Sequence, residues 1–263
     1  MPVNWMDTSP LSFNHILLLE HAHLTWLPAS GIPSLELALA LRANPAVEWT
    51  IRHKAPELNA WLDGIVSQAP AAPALPERAR QAEQVVLAAL TDWLVYVMDP
   101  AIYDQQPFLQ WDSRELSSLV DFNGKTVLDI GAGTGRLALV AAENGARVIF
   151  AVEPVGRLRT YLRQKALDRG FKDIYAVDGL ITAIPFPDAF ADVVMGGHVF
   201  GEYLEAELTE LQRVTRPGGM IILCPGNNDQ DNDVHRFLVE RGFSWGRFEE
   251  PVDGVKRKYW RSK

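Results

Sequence analysis

The chain has 263 residues, 48% hydrophobic and 22% charged, with a formal net charge of −8. This is an ordinary globular composition, which excludes fibrous and low-complexity classes, and no stretch approaches the roughly 18 uninterrupted apolar residues of a membrane span. Up to Leu116 there are 6 Lys+Arg against 13 Asp+Glu, and after it 19 against 20, so the acidic front part disfavours a nucleic-acid substrate.

The opening "MPVNWMDTSPLSF" has neither a basic n-region nor an apolar h-region, and the single cysteine, Cys224, cannot form an intramolecular disulfide. Both features read as a cytoplasmic protein. Residues up to about Leu119 read as helices. Pro10 opens one through "LSFNHILLLEHAHLTWL", and Ser34 caps "LELALALRAN". "QAPAAPALP" is too proline-rich for a helix interior, and Pro76 then starts one long helix, "ERARQAEQVVLAALTDWLVYVMD". Six of the eight Trp fall in this part (Trp5, Trp26, Trp49, Trp61, Trp93 and Trp111) and are expected to pack its core.

From Lys125 the texture changes. "TVLDI", "RVIFAVE", "DIYAV", "ADVVMGG" and "GMIILCP" are short apolar runs rich in Val and Ile, the first three separated by helical stretches. Such runs suit strands covered on both faces, and strand–helix alternation implies a doubly wound parallel sheet. The expected fold class is α/β. Residues 1–119 form a helical cap or substrate part with a lid at about 99–119, and 120–263 form the sheet domain.

Asp129, Gly131, Gly133 and Gly135 give D-x-G-x-G-x-G at a strand-to-helix turn. Glycine allows positive φ and close approach to a ligand, and a helix starting at about Thr134 points free N–H groups at it. The third glycine comes one residue too early for the dinucleotide pattern G-x-G-x-x-G, which weakens a nicotinamide reading. Glu153 ends the second strand, where an acid can accept ribose hydroxyls.

With "VLDIGAGTGRLA", "AVEP", "VDGLITAIPFPDAFADVVMGGHVF" and "ELQRVTRPGGMIILC" in that order, the chain resembles the class I S-adenosylmethionine-dependent methyltransferases, type 11-like branch, from Val127 to about Leu223. The resemblance implies a Rossmann-like, seven-stranded, mostly parallel sheet of order 3-2-1-4-5-7-6, its last hairpin turning at Asp253-Gly254. It implies S-adenosylmethionine as methyl donor and S-adenosylhomocysteine as product. Asp129, Gly131 and Gly133 would face the methionine moiety, Glu153 the ribose, and Asp178, Gly179 and Leu180 the adenine. Gly197 and His198 would face the sulfonium end, with His198 the candidate catalytic base. Glu202 and Tyr203, close to His198, are substrate candidates. Tyr103, Gln106, Trp111 and Asp112 are lid candidates, because relatives often cover the cofactor with the segment before the first motif.

The acceptor is expected to be a small molecule, with no nucleic-acid or membrane partner; oligomeric state is not legible. Two other classes stay open: a cofactor-holding partner or scaffold without turnover, and a nicotinamide oxidoreductase. No metal site is expected. His21 and His23 point about 200° apart on a helix, and the calcium-like "DQDND" has Val234 where the loop needs Gly. The acids of "EYLEAELTEL" read as a solvated helix face, the basic "VKRKYWRSK" as an exposed strand that resists edge pairing, and Cys224 as a core residue.

Overall fold

The structure is a computed structural model and describes residues 5–72 and 74–263. The chain divides into two compact units, one ending at Tyr103 and the other running from Asp104 to Lys263. No helix of the described residues is long and apolar enough to cross a membrane.

The first unit is helical: α1 (His21–Trp26), α2 (Ser34–Ala43), α3 (Pro45–Lys54), α4 (Asn59–Val66), α5 (Pro76–Ala89) and α6 (Thr91–Met98), with α7 (Pro100–Asp104) following. The expected helix from Pro10 is broken instead. A 3₁₀ turn spans Phe13–Leu18, Leu19 is extended, and α1 restarts behind a capping box in which the Glu20 N–H donates to His23 Nδ1 at 3.2 Å. The long helix expected from Pro76 also divides, at Leu90, where the Thr91 hydroxyl donates to the Ala88 carbonyl at 2.8 Å. A Thr side chain that bonds backbone locally competes with helix continuation. α2 and α5 pack together with a bidentate pair, Arg78 to Glu36 at 2.6 and 2.7 Å. Trp49 departs from the core expectation: it is 65% exposed and stacks on His53 one helical turn away.

The second unit carries, among the described residues, one seven-stranded sheet. Its strands are β1 (Thr126–Ile130), β2 (Val148–Val152), β3 (Ile174–Val177), β4 (Ala191–Gly196), β5 (Thr215–Asn228), β6 (Ser244–Glu250) and β7 (Gly254–Ser262). The order is β3-β2-β1-β4-β5-β7-β6, with β7 antiparallel to both neighbours and every earlier pairing parallel. The helices are α8 (Arg114–Ser117), α9 (Arg136–Glu143), α10 (Gly156–Asp168), α11 (Leu204–Val214) and α12 (Asp233–Glu240). α9 begins two residues later than expected, because Gly135 takes φ +85° as its N-cap. Side chains alternate across β1. Val127 packs with Trp111, Leu116 and Ile149 on one face, and Leu128 and Ile130 with Val152 and Val194 on the other. Covered on both sides, the strands read as unbroken apolar runs.

The basic C-terminal strand is not an edge. β7 lies between β5 and β6, and Lys256, Arg257 and Lys258 are buried with carboxylate partners. Arg257 engages Asp229 and Asp231, so two acids of the calcium-like stretch serve as its counter-ions.

Candidate methyl-transfer site

All parallel strands of this sheet end at one edge, and the glycine turn, Glu153, Asp178–Leu180 and Gly197–His198 follow the ends of β1, β2, β3 and β4 in that order. This is the edge at which open α/β sheets bind ligands.

Two glycines of the turn are sterically required. Gly131 has φ +65°, and a Cβ there would stand 2.5 Å from Val199 Cγ2. At Gly135 a Cβ would stand 2.8 Å from Leu162 Cγ of α10. The turn is tied down by carboxylates. Glu153 Oε2 accepts the Gly133 N–H at 2.8 Å, and Oε1 accepts the Val155 N–H at 2.9 Å. Asp129 is 1% exposed, and its Oδ2 accepts the N–H of Ala138 at 2.9 Å, in the first turn of α9. Burial pushes the Asp129 carboxyl up to about 8, against the Ala138 hydrogen bond and helped by the charge of Glu153.

Asp178 is exposed and paired with Arg159 Nη1 at 3.0 Å, and the same nitrogen donates to the Glu153 carbonyl at 2.6 Å. Arg159 thus links the ends of β2 and β3. Gly179 is closely packed, its absent Cβ falling 2.7 Å from Pro185 Cδ. Leu180 is exposed and bridges to Ala183. Gly197 faces the Cys224 carbonyl, 3.2 Å from where its Cβ would be.

His198 occupies the left-handed region at φ +56°, a conformation costly for a residue with a Cβ. Its N–H donates to the Pro225 carbonyl at 2.9 Å, its ring meets the Phe108 ring edge-on at 5.7 Å between centroids, and its Nε2 lies 3.1 Å from Glu250 Oε1. The loop after it is shaped by Glu207. That carboxylate, read from the sequence as part of a solvated face, is buried and accepts the N–H groups of Gly201, Glu202 and Tyr203 at 2.7, 3.1 and 2.8 Å. The Glu202 and Tyr203 side chains themselves point outward, exposed.

The lid candidates separate. Trp111 belongs to the core instead, 1% exposed against Leu116 and Phe122, with the Arg136 guanidinium 4.8 Å over its ring. An aromatic residue in a polar stretch reads as a lid, but nothing in that stretch announces its apolar partners. Asp112 is exposed, and its hydrogen bonds with Arg114 hold its carboxyl down at about 2. Gln106 precedes the 3₁₀ turn Pro107–Leu109, which brings Phe108 to His198. Tyr103 falls in the other unit, in an aromatic cluster with Trp5 (5.5 Å) and Tyr96 (4.9 Å). Trp26 and Trp93 lie 5.9 Å apart in the same cluster, around the buried ring of His23. His23 Nε2 is buried with no hydrogen-bond partner among the described residues, and burial pulls the imidazole down to about 4. Cys224 is fully buried, and burial raises its thiol to about 12, which leaves it no nucleophilic role.

Residues 128–223 match the family described as "Methyltransferase domain". An uncharacterized methyltransferase of Geobacillus kaustophilus is 28% identical over 165 residues, 60% of this chain and 73% of that one. A demethylmenaquinone methyltransferase of Thermus thermophilus is 34% identical over 120 residues, 44% of this chain and 53% of that one. Among solved structures, a SAM-dependent methyltransferase from Aquifex aeolicus has the same fold, with a TM-score of 0.50 at 19% identity, covering 63% of this chain and 98% of that one. Residues 128–223 thus carry a methyltransferase domain, and the chain is similar to S-adenosylmethionine-dependent methyltransferases. It is a methyltransferase with S-adenosylmethionine as its methyl donor.

Proposed function

We propose that the chain methylates a small molecule at the strand-end edge described above. The donor's residues are assigned by chemistry. The carboxyl groups of Asp129, Glu153 and Asp178 stand at the ends of three successive strands, and the donor offers an ammonium, a ribose diol and an adenine amino group. The fit is supported by the joined Glu153–Gly133 pair and by Thr134 Oγ1, a buried hydroxyl of the turn with no hydrogen-bond partner among the described residues. Gly131 and Gly133 then offer close backbone approach, Gly179 and Leu180 frame the adenine, and Gly197 and His198 border the transferring group.

The donor supplies an electrophilic methyl on a sulfonium leaving group. The chain's own residues need only position, desolvate and, where the acceptor carries a proton, remove it. His198 is the side chain of the "GGHVF" turn whose ring nitrogen can accept a proton.

The observation that carries this reading is the Glu153–Gly133 hydrogen bond at 2.8 Å, which holds the acid that ends β2 against the glycine turn after β1. The similarity to the Thermus thermophilus demethylmenaquinone methyltransferase supports a small-molecule acceptor. Incubating the full chain with methyl-labelled donor, a metabolite library and a protein extract tests it. Label appearing in a small metabolite supports the proposal; label appearing only in protein overturns it.

A further inference from the structure

Glu250 is the last residue of β6, 52 residues beyond His198, and nothing in the sequence joins the two. In the fold they meet. The Glu250 side chain is fully buried, its Oε1 lies 3.1 Å from His198 Nε2, and the imidazole stays more than a third exposed. The second carboxylate oxygen faces Lys256 Nζ at 3.3 Å, near enough for an ion pair but without hydrogen-bond geometry. Lys256 is itself held by Asn228 Oδ1 at 2.7 Å, with Asp253 3.9 Å away.

A buried carboxylate is expensive unless paired, and this one has a lysine on one side and an imidazole on the other. Lys256 satisfies the charge requirement. The approach to His198 is therefore additional, and it is maintained while His198 holds a strained backbone (φ +56°), its N–H pinned to Pro225. Strain of this kind persists where the surroundings over-determine it, and it clusters at functional sites. A carboxylate can only accept a hydrogen bond, so the proton on the ring must be on Nε2.

We propose that Glu250 is a positioning residue for His198: its buried carboxylate holds the ring as the Nε2–H tautomer and leaves the Nδ1 lone pair to take the acceptor's proton. The proposal rests on the reading of His198 as the group bordering the acceptor. In the step, the acceptor's X–H bond breaks and its proton goes to Nδ1. The bonding pair stays on X to form the new bond to carbon, while the carbon–sulfur pair leaves with the donor's sulfur. The imidazolium so formed keeps its Nε2–H on Glu250, which stabilises it. Phe108, edge-on to the ring, restricts its rotation.

The test is nuclear magnetic resonance of the full chain labelled with ¹⁵N-histidine, with His198 assigned by the His198→Gln variant among the six histidines. The wild-type spectrum is expected to show His198 protonated at Nε2, with that proton far downfield and slow to exchange, as a charge-assisted hydrogen bond gives. In Glu250→Gln, checked for folding by its thermal melt, the same proton is expected to move upfield and exchange fast. Glu250→Asp, which withdraws the carboxylate by one methylene, serves as the second variant and is expected to lose the signal as well. An Nδ1–H tautomer in the wild type, or a ring signal indifferent to both substitutions, overturns the proposal. S-adenosylhomocysteine is titrated into the same samples. Failure of the wild type to bind it overturns the site reading, while the ring signal alone decides whether Glu250 holds His198.

Discussion

Glu153 Oε2 and the Gly133 N–H are joined at 2.8 Å, so the acid that ends β2 is also a strut of the glycine turn that follows β1. The proposed ribose contact and the shape of the turn therefore depend on one carboxylate. Glu153→Ala removes the acceptor of two backbone N–H groups. The expected outcome is a stability loss of about 1–3 kcal/mol, the cost of unpartnered buried groups, together with a binding loss of about 1.5–3 kcal/mol, the range for hydrogen bonds to a charged group. Thermal melts and calorimetry with S-adenosylhomocysteine check both. Normal binding with only reduced stability would confine Glu153 to the strut.

Asp129 makes folding sensitive to pH in an unusual direction. Its carboxyl titrates at about 8 folded against an ordinary 3.8. Between those values the folded chain holds a proton that the unfolded chain has released, so this group's contribution to stability falls as pH rises. Asp129→Asn removes the titration. Its melting temperature is expected to fall less between pH 5 and 8 than that of the wild type, a window set by those two values. Parallel curves for the two proteins would show that Asp129 is ionised throughout.

Glu207→Ala strips three backbone N–H groups of their acceptor in the loop behind His198. A cost of about 1–3 kcal/mol is expected, less than three full penalties because water can reach an exposed loop. Amide exchange at Gly201, Glu202 and Tyr203 should accelerate selectively. Unchanged exchange at those three positions would mean that the loop holds its shape without the carboxylate.

Gly131→Ala places a methyl 2.5 Å from Val199 Cγ2 at a left-handed backbone position. The backbone alone costs about 1–2 kcal/mol, and the overlap adds to it. In the double variant with Val199→Ala the Cγ2 overlap is removed and only the Val199 Cβ at 3.0 Å remains close, so the two changes should be less than additive by about 0.5–3 kcal/mol. Strict additivity in denaturant melts would mean that Val199 does not pack on the turn.

The sheet was legible because its chemistry is local. Apolar runs and the glycine turn announce β1 to β5, and the strand order followed from the resemblance. Asp129, Glu153, Asp178 and His198 were visible because each ends a strand beside recognisable turn residues. Glu250, Arg159 and Phe108 were not, because each is brought in by another element, and only tertiary pairing places them. Arg159 had a faint signal, a cationic helix directly after the acid. Glu207 misled because an acid on a polar helix looks solvated until its backbone partners are known. Lys256 to Lys258 misled because a basic strand reads as an exposed edge, while here each of these buried cations finds a carboxylate partner. Trp111 reads as a lid because its neighbours in sequence are polar, yet its neighbours in space are not.

Calorimetric titration of the full chain with S-adenosylhomocysteine, and separately with NAD, tests the account most directly. The glycine spacing and the acids at the ends of β1, β2 and β3 predict a single saturable heat with the adenosyl ligand, lost or strongly weakened in Glu153→Ala, and none with NAD. Saturable heat with NAD and none with S-adenosylhomocysteine would contradict it.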